Sequence, residues 1–145
     1  MLIGRERLQQ MLPHADAMCL LSGVREADAA RIVCVATSHR DGDNPLRRHD
    51  MLPAVCGIEY ASQAMAIHGA WRSDPARKPV PGMLVSVREA TWQVERLDQI
   101  AGELVIAAEL EAGDGRGASY RFELAGAGRA LLRGRATVVF AIGGA

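Results

Sequence analysis

The chain has 145 residues, of which 49% are hydrophobic, and its formal net charge is zero. This length suits one ordinary domain, and the apolar content allows a real core and argues against disorder. A neutral chain has no field that would attract nucleic acid or an anionic membrane, so a nucleic-acid partner is disfavoured. No run approaches the roughly 18 apolar residues of a membrane span. The N-terminus lacks a signal-peptide pattern, so we expect one cytoplasmic domain over residues 1–145.

Cysteines and histidines indicate neither a disulfide nor a metal site. The sequence has an odd number of cysteines, three, and no CxxC motif. We therefore expect buried, reduced thiols at Cys19, Cys34 and Cys56. The four histidines show neither HxxxH nor HExxH spacing, which disfavours bound metal.

The first third of the chain predicts a short helix, a hairpin and a loop. Apolar spacing indicates an amphipathic helix over residues 3–11, ended by Pro13. Strands are predicted over residues 18–24 and 31–37, joined by the polar connection READAA. The segment 39–50 is rich in turn-forming residues and is predicted to be a polar loop.

Residues 53–71 predict one long, buried helix. Pro53 suits the first turn of a helix, and no second proline follows it. Val55, Ile58 and Met65 lie on one stripe at helical spacing, and alanines make most of the remaining surface small. A helix that is apolar nearly all round is usually buried. We therefore expect a central helix with the other elements wrapped around it.

The second half of the chain predicts a series of strands. After a polar loop over residues 72–81, strands are predicted over 83–94, 103–111, 119–124 and 130–140, separated by the turn signals AGDGRG and AGAG. The stretch ELVIAAELEA (103–112) also has the composition of a helix, but we predict a strand because it lies within a series of strands. Strands around one helix indicate an α+β fold with an antiparallel sheet.

Glu59 and His49 are the residues most suited to proton transfer. Glu59 lies in a helix that otherwise avoids charge, where a carboxylate is costly to bury unless it is paired. It lies either on a solvated face, where it favours the helix N-terminus, or in a functional cleft, and Gln63 is one turn further on the same face. His49 ends the polar loop and is either a solvated loop residue or a base entering that cleft.

The stretches NPLRRH (44–49) and PAVCGIEYASQ (53–63) resemble the bacterial FabZ-type 3-hydroxyacyl-(acyl-carrier-protein) dehydratases. LPHADAMCLLSGV (12–24) is similar to the segment before that family's first strand. The resemblance covers roughly the first half of the chain, and the second half agrees as a series of strands. It implies the hotdog fold, in which a curved antiparallel sheet wraps around one long helix. It also implies a dimer in which each active site joins the histidine of one subunit to the glutamate of the other.

Carried over to this chain, the resemblance makes His49 the base and Glu59 the acid, with Gln63 as a supporting residue. Backbone amides near Ala54 and Val55 would hold the thioester carbonyl. The implied reaction converts 3-hydroxyacyl thioesters to trans-2-enoyl thioesters in fatty-acid or polyketide synthesis. It needs no organic cofactor or metal, because the thioester itself acidifies C2. The substrate is carried on the phosphopantetheine of acyl carrier protein or on coenzyme A.

The chain departs from the family pattern around His49. The interval from His49 to Glu59 is 59 − 49 = 10 residues, several fewer than in the family, and Asp50 and Ala54 replace the family's apolar residue and glycine. His39 is therefore an alternative base. The segment 38–70 also resembles a divergent branch of such dehydratases in aryl-polyene-type biosynthetic clusters.

Two other functions are compatible with the same fold. A hotdog acyl thioesterase would use Glu59 as base or nucleophile without His49. A non-catalytic subunit would instead support a heteromeric dehydratase. The expected partners are acyl carrier protein and a second hotdog subunit, as homodimer or heterodimer, because exposed sheet edges favour pairing. The basic loop residues are either solvated charges or contacts for an acidic carrier protein: Arg47, Arg48, Arg72, Arg77 and Lys78.

Overall fold

The computed structural model describes residues 1–11, 19–72, 82–114 and 116–140. Within them the elements are β1 Ile3–Gly4, α1 Arg5–Met11, β2 Gly23–Ala27, β3 Arg31–Ala36, α2 Gly57–Arg72, β4 Gly82–Trp92, β5 Leu104–Gly113, β6 Gly117–Gly126 and β7 Arg129–Phe140. Two 3₁₀ turns, Ser38–Arg40 and Ala54–Cys56, lie between β3 and α2. The predicted α+β architecture, with strands around one long helix, is confirmed.

The strands form one sheet in the order β1-β2-β3-β5-β6-β7-β4, and its described pairings are antiparallel. Alternation along β6 shows the two faces: Tyr120, Phe122 and Leu124 are buried, whereas Arg121 and Glu123 are exposed. Helix α2 packs against β3, β5, β6 and β7. The core therefore lies between the inner face of the sheet and α2.

A close approach fixes the start of α2 on the sheet. A Cβ atom added to Gly57 would lie 2.6 Å from Cδ2 of Leu132 and 2.9 Å from Cδ2 of Leu124. A larger residue here would force these leucine side chains to move, so glycine allows the first turn of α2 to rest directly on β6 and β7. This contact determines where the catalytic candidates on the first turn of α2 lie.

The N-terminal predictions are partly wrong. The predicted helix over residues 3–11 begins only at Arg5, because Ile3 and Gly4 pair with β2 as a short strand. The predicted strand over 18–24 begins at Gly23 within the described residues and continues to Ala27. The predicted READAA connection is therefore shorter than six residues, and Asp28 forms its turn by accepting hydrogen bonds from two backbone N–H groups at 2.8 Å.

The second half agrees with the prediction. The stretch ELVIAAELEA is mostly strand β5 despite its helix-forming composition, because β3 and β6 pair with it on both sides. The strands predicted over 83–94, 119–124 and 130–140 are confirmed with ends shifted by one to two residues. Most of the predicted loop over 72–81 lies outside the described residues, and Arg72 is the last residue of α2.

A buried hydrogen-bond network ties α2 to the loop before it. The Tyr60 hydroxyl donates to Ser38 Oγ at 2.7 Å, and Ser38 Oγ in turn donates to the Leu20 carbonyl at 2.7 Å. The Asn44 amide donates to the Tyr60 hydroxyl at 3.1 Å, and its oxygen accepts the N–H of Leu46 at 2.9 Å. Burial raises the pKa of Tyr60. The network therefore orders the loop that carries His49.

A second buried network holds the far end of α2. His68 Nε2–H donates to the Asp28 carbonyl at 2.7 Å, and Nδ1 accepts the Tyr120 hydroxyl at 2.7 Å. The His68 ring also stacks on Trp71 with centroids 6.3 Å apart. Burial lowers the pKa of His68 and raises the pKa of Tyr120 to about 12. His68 is therefore a neutral structural residue.

The Tyr60 network predicts a measurable stability loss. We expect Tyr60→Phe to lower the free energy of unfolding by about 1 kcal/mol, because one buried hydrogen-bonding hydroxyl is lost while the ring remains. Urea unfolding checks this value. Ser119→Ala is the control, since its hydroxyl faces Thr137 at 3.3 Å on the outer face and its loss should matter less. Equal stability of Tyr60→Phe and wild type would contradict the role of the network.

The buried histidines predict a fall in stability at acid pH. Burial lowers the pKa of both His39 and His68 in the folded state, so the unfolded chain binds protons more readily. Their contribution is therefore complete above the ordinary value of about 6.5 and is lost as the pH falls below it. We expect urea unfolding at pH 5.5 to show lower stability than at pH 7.5. His68→Leu should weaken this dependence, and an unchanged dependence in that variant would contradict the role of His68.

Candidate active site

His49 lies at the tip of a tight turn. Arg48 and Met51 exchange two backbone hydrogen bonds of 2.8 and 2.9 Å around it. His49 and Asp50 have φ angles of 52° and 60°, the left-handed conformation that two-residue hairpin turns require. The His49 side chain is exposed and, within the described residues, forms no hydrogen bond or ion pair. Its imidazole is therefore accessible to a ligand or to a partner chain.

Glu59 lies on the side of α2 that the sheet covers least. Ile58, Glu59, Ser62 and Ala66 are half-buried, whereas Tyr60, Ala61 and the other sheet-facing side chains are fully buried. Within the described part of the chain, Glu59 has no hydrogen-bond or ion-pair partner. The carboxyl group thus lies on a half-buried stripe of α2, next to Ile58 and Ser62.

Cys56 marks the point where the loop and the helix meet. Its thiol donates to the Leu46 carbonyl at 3.8 Å. Burial raises the pKa of the Cys56 thiol, the nearby Arg48 charge lowers it, and Glu59 raises it further. Arg48 and Glu59 thus act on one thiol from the loop and from the helix. Cys19 and Cys34 are buried free thiols as predicted, whereas Cys56 is only half-buried.

The start of the helix offers one backbone donor. The N–H of Ala54 donates to the Glu95 carbonyl at 2.9 Å, and that of Cys56 donates to Pro53 at 3.0 Å. Within the described residues, the N–H of Val55 has no acceptor. Of the two amides predicted to hold the thioester carbonyl, Ala54 is therefore already engaged and Val55 remains available.

Gln63 and His39 have structural partners. The Gln63 side-chain oxygen accepts the N–H of Leu20 at 2.9 Å and so links α2 to the segment before β2. His39 is fully buried, and its Nε2–H donates to the Ile100 carbonyl at 3.0 Å. Burial lowers the pKa of His39. This placement favours a structural role for His39 over the alternative that it is the base, and the supporting role predicted for Gln63 stays a prediction.

The five basic loop residues singled out in the sequence do not form one patch within the described residues. Arg47 turns back to donate to the Asp50 carbonyl at 2.9 Å, whereas Arg48 is exposed beside His49. Arg72 lies at the opposite end of the 16-residue helix, which a rise of 1.5 Å per residue places roughly 20 Å away. Arg77 and Lys78 lie outside the described residues.

The outer face of the sheet has a shallow concavity that includes none of the candidate site residues. Several charged residues that line it pair with each other, for example Arg135 with Glu89 at 3.5 Å and Arg133 with Glu123 at 3.6 Å. In the described ranges, no three His, Cys, Asp or Glu side chains are grouped to hold a metal ion. No described helix is long and apolar enough to cross a membrane.

Three solved structures share this fold. The dehydratase heterocomplex ApeI:P from Xenorhabdus doucetiae matches with a TM-score of 0.83 and 28% identity over 92% of this chain and 90% of that one. A thioesterase from Pseudomonas aeruginosa matches with a TM-score of 0.65 and 13% identity, covering 93% and 91% of the two chains. Zebra fish thioesterase superfamily member 2 matches with a TM-score of 0.64 and 15% identity, over 93% of this chain and 92% of that one. The predicted hotdog fold is thereby confirmed.

Sequence comparison identifies the family within that fold. No curated protein matches the sequence. The model of the ApeP-like family, described as ApeP dehydratase, matches residues 6–141, nearly the whole chain. The predicted resemblance to a divergent branch of hotdog dehydratases is thus confirmed, and this chain belongs to the ApeP-like dehydratase family.

Proposed function

We propose that this chain dehydrates 3-hydroxyacyl thioesters carried on acyl carrier protein to trans-2-enoyl thioesters. The observation that carries the proposal is that the loop before α2 and the first turn of α2 supply all three kinds of group. His49 is accessible, Glu59 is half-buried, and the N–H of Val55 has no acceptor within the described residues. Dehydration needs a base, an acid and a donor to the carbonyl oxygen, and these groups match those three requirements.

The proposed reaction transfers two protons and breaks one C–O bond. His49 takes the proton from C2, and the electrons of that C–H bond form the C2=C3 double bond. The C3 hydroxyl leaves with a proton from Glu59 as water. No oxidation occurs, and both side chains exchange their protons with solvent before the next turnover. Glu59 must carry its proton at the start of each turnover to act as the acid, and it is half-buried on the first turn of α2.

The Val55 N–H supplies the third element of the mechanism. Negative charge develops on the thioester oxygen when C2 loses its proton, and a fixed backbone donor at a helix start stabilises it. Val55 is exposed by 50%, so a thioester can approach the backbone here. Cys56 and Gly57 begin the helical hydrogen bonds and hold this peptide in place.

A partner subunit would complete the site. Strand β4 is an edge strand beyond the strands that α2 contacts. Its Leu84, Val87 and Trp92 pair in register with the buried Val138, Ala136 and Leu132 of β7 and so share the inner face of the sheet. Leu84 and Val87 are nevertheless only half-buried, and Trp92 is 53% exposed.

The inner edge of β4 and the stripe of α2 through Glu59 are both only partly covered by the described chain. A second hotdog subunit that extends the sheet from β4 would cover both. It would also bring its own loop to Glu59, which fits the lack of any bond between His49 and Glu59 within the described chain. The ApeI:P heterocomplex supports a different hotdog chain as that subunit.

The carrier protein would approach from the side of Arg48. This side chain is exposed next to His49, and its charge would attract the acidic surface of a carrier protein to the proposed site. Arg72, at the opposite end of α2, is not part of this contact.

We expect Glu59→Gln and His49→Asn each to lower the dehydration rate by about a hundredfold or more, as loss of a general acid or base does. Asparagine is chosen at position 49 because it tolerates the positive φ of the turn. The measurement is loss of one water from a 3-hydroxyacyl carrier-protein thioester, followed by mass spectrometry, with the chain alone and with a second hotdog subunit.

Asp50→Asn is the matched control, since it changes the neighbouring turn residue and should retain activity. Loss of activity in Glu59→Gln but not in His49→Asn would show that His49 is not the base. Release of free thiol instead of water would indicate a thioesterase. Full activity in both variants would refute the proposed pair.

We expect Trp92→Glu to prevent assembly with the partner subunit, because it places a charge on the surface that the partner would bury. Light scattering after size-exclusion chromatography checks the mass of the assembly. Val139→Glu is the control, since Val139 is 43% exposed but next to the buried Val138 it faces the outer side of the sheet. Disruption by Val139→Glu and not by Trp92→Glu would place the interface on the outer face.

A further inference from the structure

Asp98 lies outside the predicted site but is bonded directly to the segment that leads into it. Its side chain is only 6% exposed. One carboxylate oxygen accepts the N–H of Leu52 at 2.9 Å. The carboxylate also accepts two bonds from Arg96, at 3.0 Å from Nε and 2.5 Å from Nη2. The hydrogen bond from Arg96 lowers the pKa of Asp98 to about 2, so the carboxylate is charged at neutral pH.

This carboxylate anchors a small two-stranded bridge. The N–H of Leu97 donates to the Leu52 carbonyl at 2.7 Å, and that of Ala54 donates to the Glu95 carbonyl at 2.9 Å. Pro53 and Arg96 are the paired residues between these bonds. Residues 52–54 are thereby fixed to residues 95–97 immediately before α2 begins.

The bridge and the helix start occupy most backbone N–H groups between Leu52 and Gly57. Leu52 donates to Asp98, Pro53 has no N–H, and Ala54 donates to Glu95. The N–H groups of Cys56 and Gly57 are used within the helix start. Of this run, only Val55 keeps a donor for a ligand, so the register of the bridge decides which peptide faces the substrate.

We infer that Asp98 is a positioning residue of the dehydration, acting through Leu52–Ala54 to aim the Val55 N–H at the thioester oxygen. This inference rests on the proposed function. Asp98 touches no reacting atom. Without its carboxylate, the Leu52 N–H and the Arg96 guanidinium lose their common acceptor, and the bridge can shift. Small displacements of an oriented donor weaken transition-state stabilisation more than substrate binding.

The test compares Asp98→Ala, Asp98→Asn and Asp114→Ala in the assembly in which the wild-type chain is active. We expect Asp98→Ala to lower kcat by about tenfold to a hundredfold with little change in KM. Asp98→Asn keeps an oxygen acceptor for Leu52 and should recover most of kcat. Asp114 organises a turn in the same way, accepting N–H groups at 2.7 and 3.1 Å. It lies in the turn between β5 and β6, and its variant should keep wild-type kcat.

A spectroscopic readout separates positioning from general stability. In ¹⁵N–¹H NMR spectra, the Leu52 amide should exchange with solvent faster in Asp98→Ala than in wild type. Added amide-linked 3-hydroxyacyl-pantetheine, an unreactive analogue, should shift the Val55 amide signal in wild type and in Asp98→Asn, but less in Asp98→Ala.

Several outcomes would overturn the inference. These are unchanged kcat in a folded Asp98→Ala variant, an equal loss in Asp114→Ala, or no Val55 shift in wild type. If the wild type removes no water from any thioester, the proposed function fails. The Val55 and Leu52 signals then still decide whether Asp98 positions this amide for a bound acyl thioester.

Discussion

The central helix has to be covered on nearly every side, and the rest of the structure follows from that constraint. Its surface is mostly alanine and other apolar residues, so water contact is unfavourable along most of its length. The curved sheet covers one side, and Gly57 lets the first turn rest directly on Leu124 and Leu132. The sheet leaves the stripe through Glu59 and Ser62 partly open. That opening is both the proposed substrate groove and the surface that a partner would cover.

Polar groups on this helix are tolerated where they have partners. Tyr60 bonds to Ser38 and Asn44, Gln63 to Leu20, and His68 to Tyr120 and Asp28. Each of these networks ties the helix to another part of the chain. Glu59 differs, because its carboxyl group forms no hydrogen bond within the described residues. A half-buried carboxyl group without a structural bond is the kind of group that can take part in proton transfer.

Much of the fold could be predicted from the sequence because its signals are local. The alternation in RIVCVAT, the turn signals AGDGRG and AGAG, and the apolar helix after Pro53 each specify an element without reference to distant residues. The extension of β2 through Arg25 and Glu26 could not be predicted this way, because an irregularity in register between Val24 and Glu26 breaks the alternation and leaves two consecutive polar residues exposed. The short β1 was missed because only its pairing with Val24 makes it a strand.

Fold class, family and the residue types available for chemistry could be read from the sequence, because they depend on local pattern and on the run from Asn44 to Gln63. Which of those residues are accessible depends on the tertiary structure. It buried His39 against Ile100, exposed His49 on a left-handed turn, and engaged the Ala54 amide with Glu95 while leaving that of Val55 available. The physical reason is that burial and backbone hydrogen bonds join residues far apart in the chain, which no local pattern records.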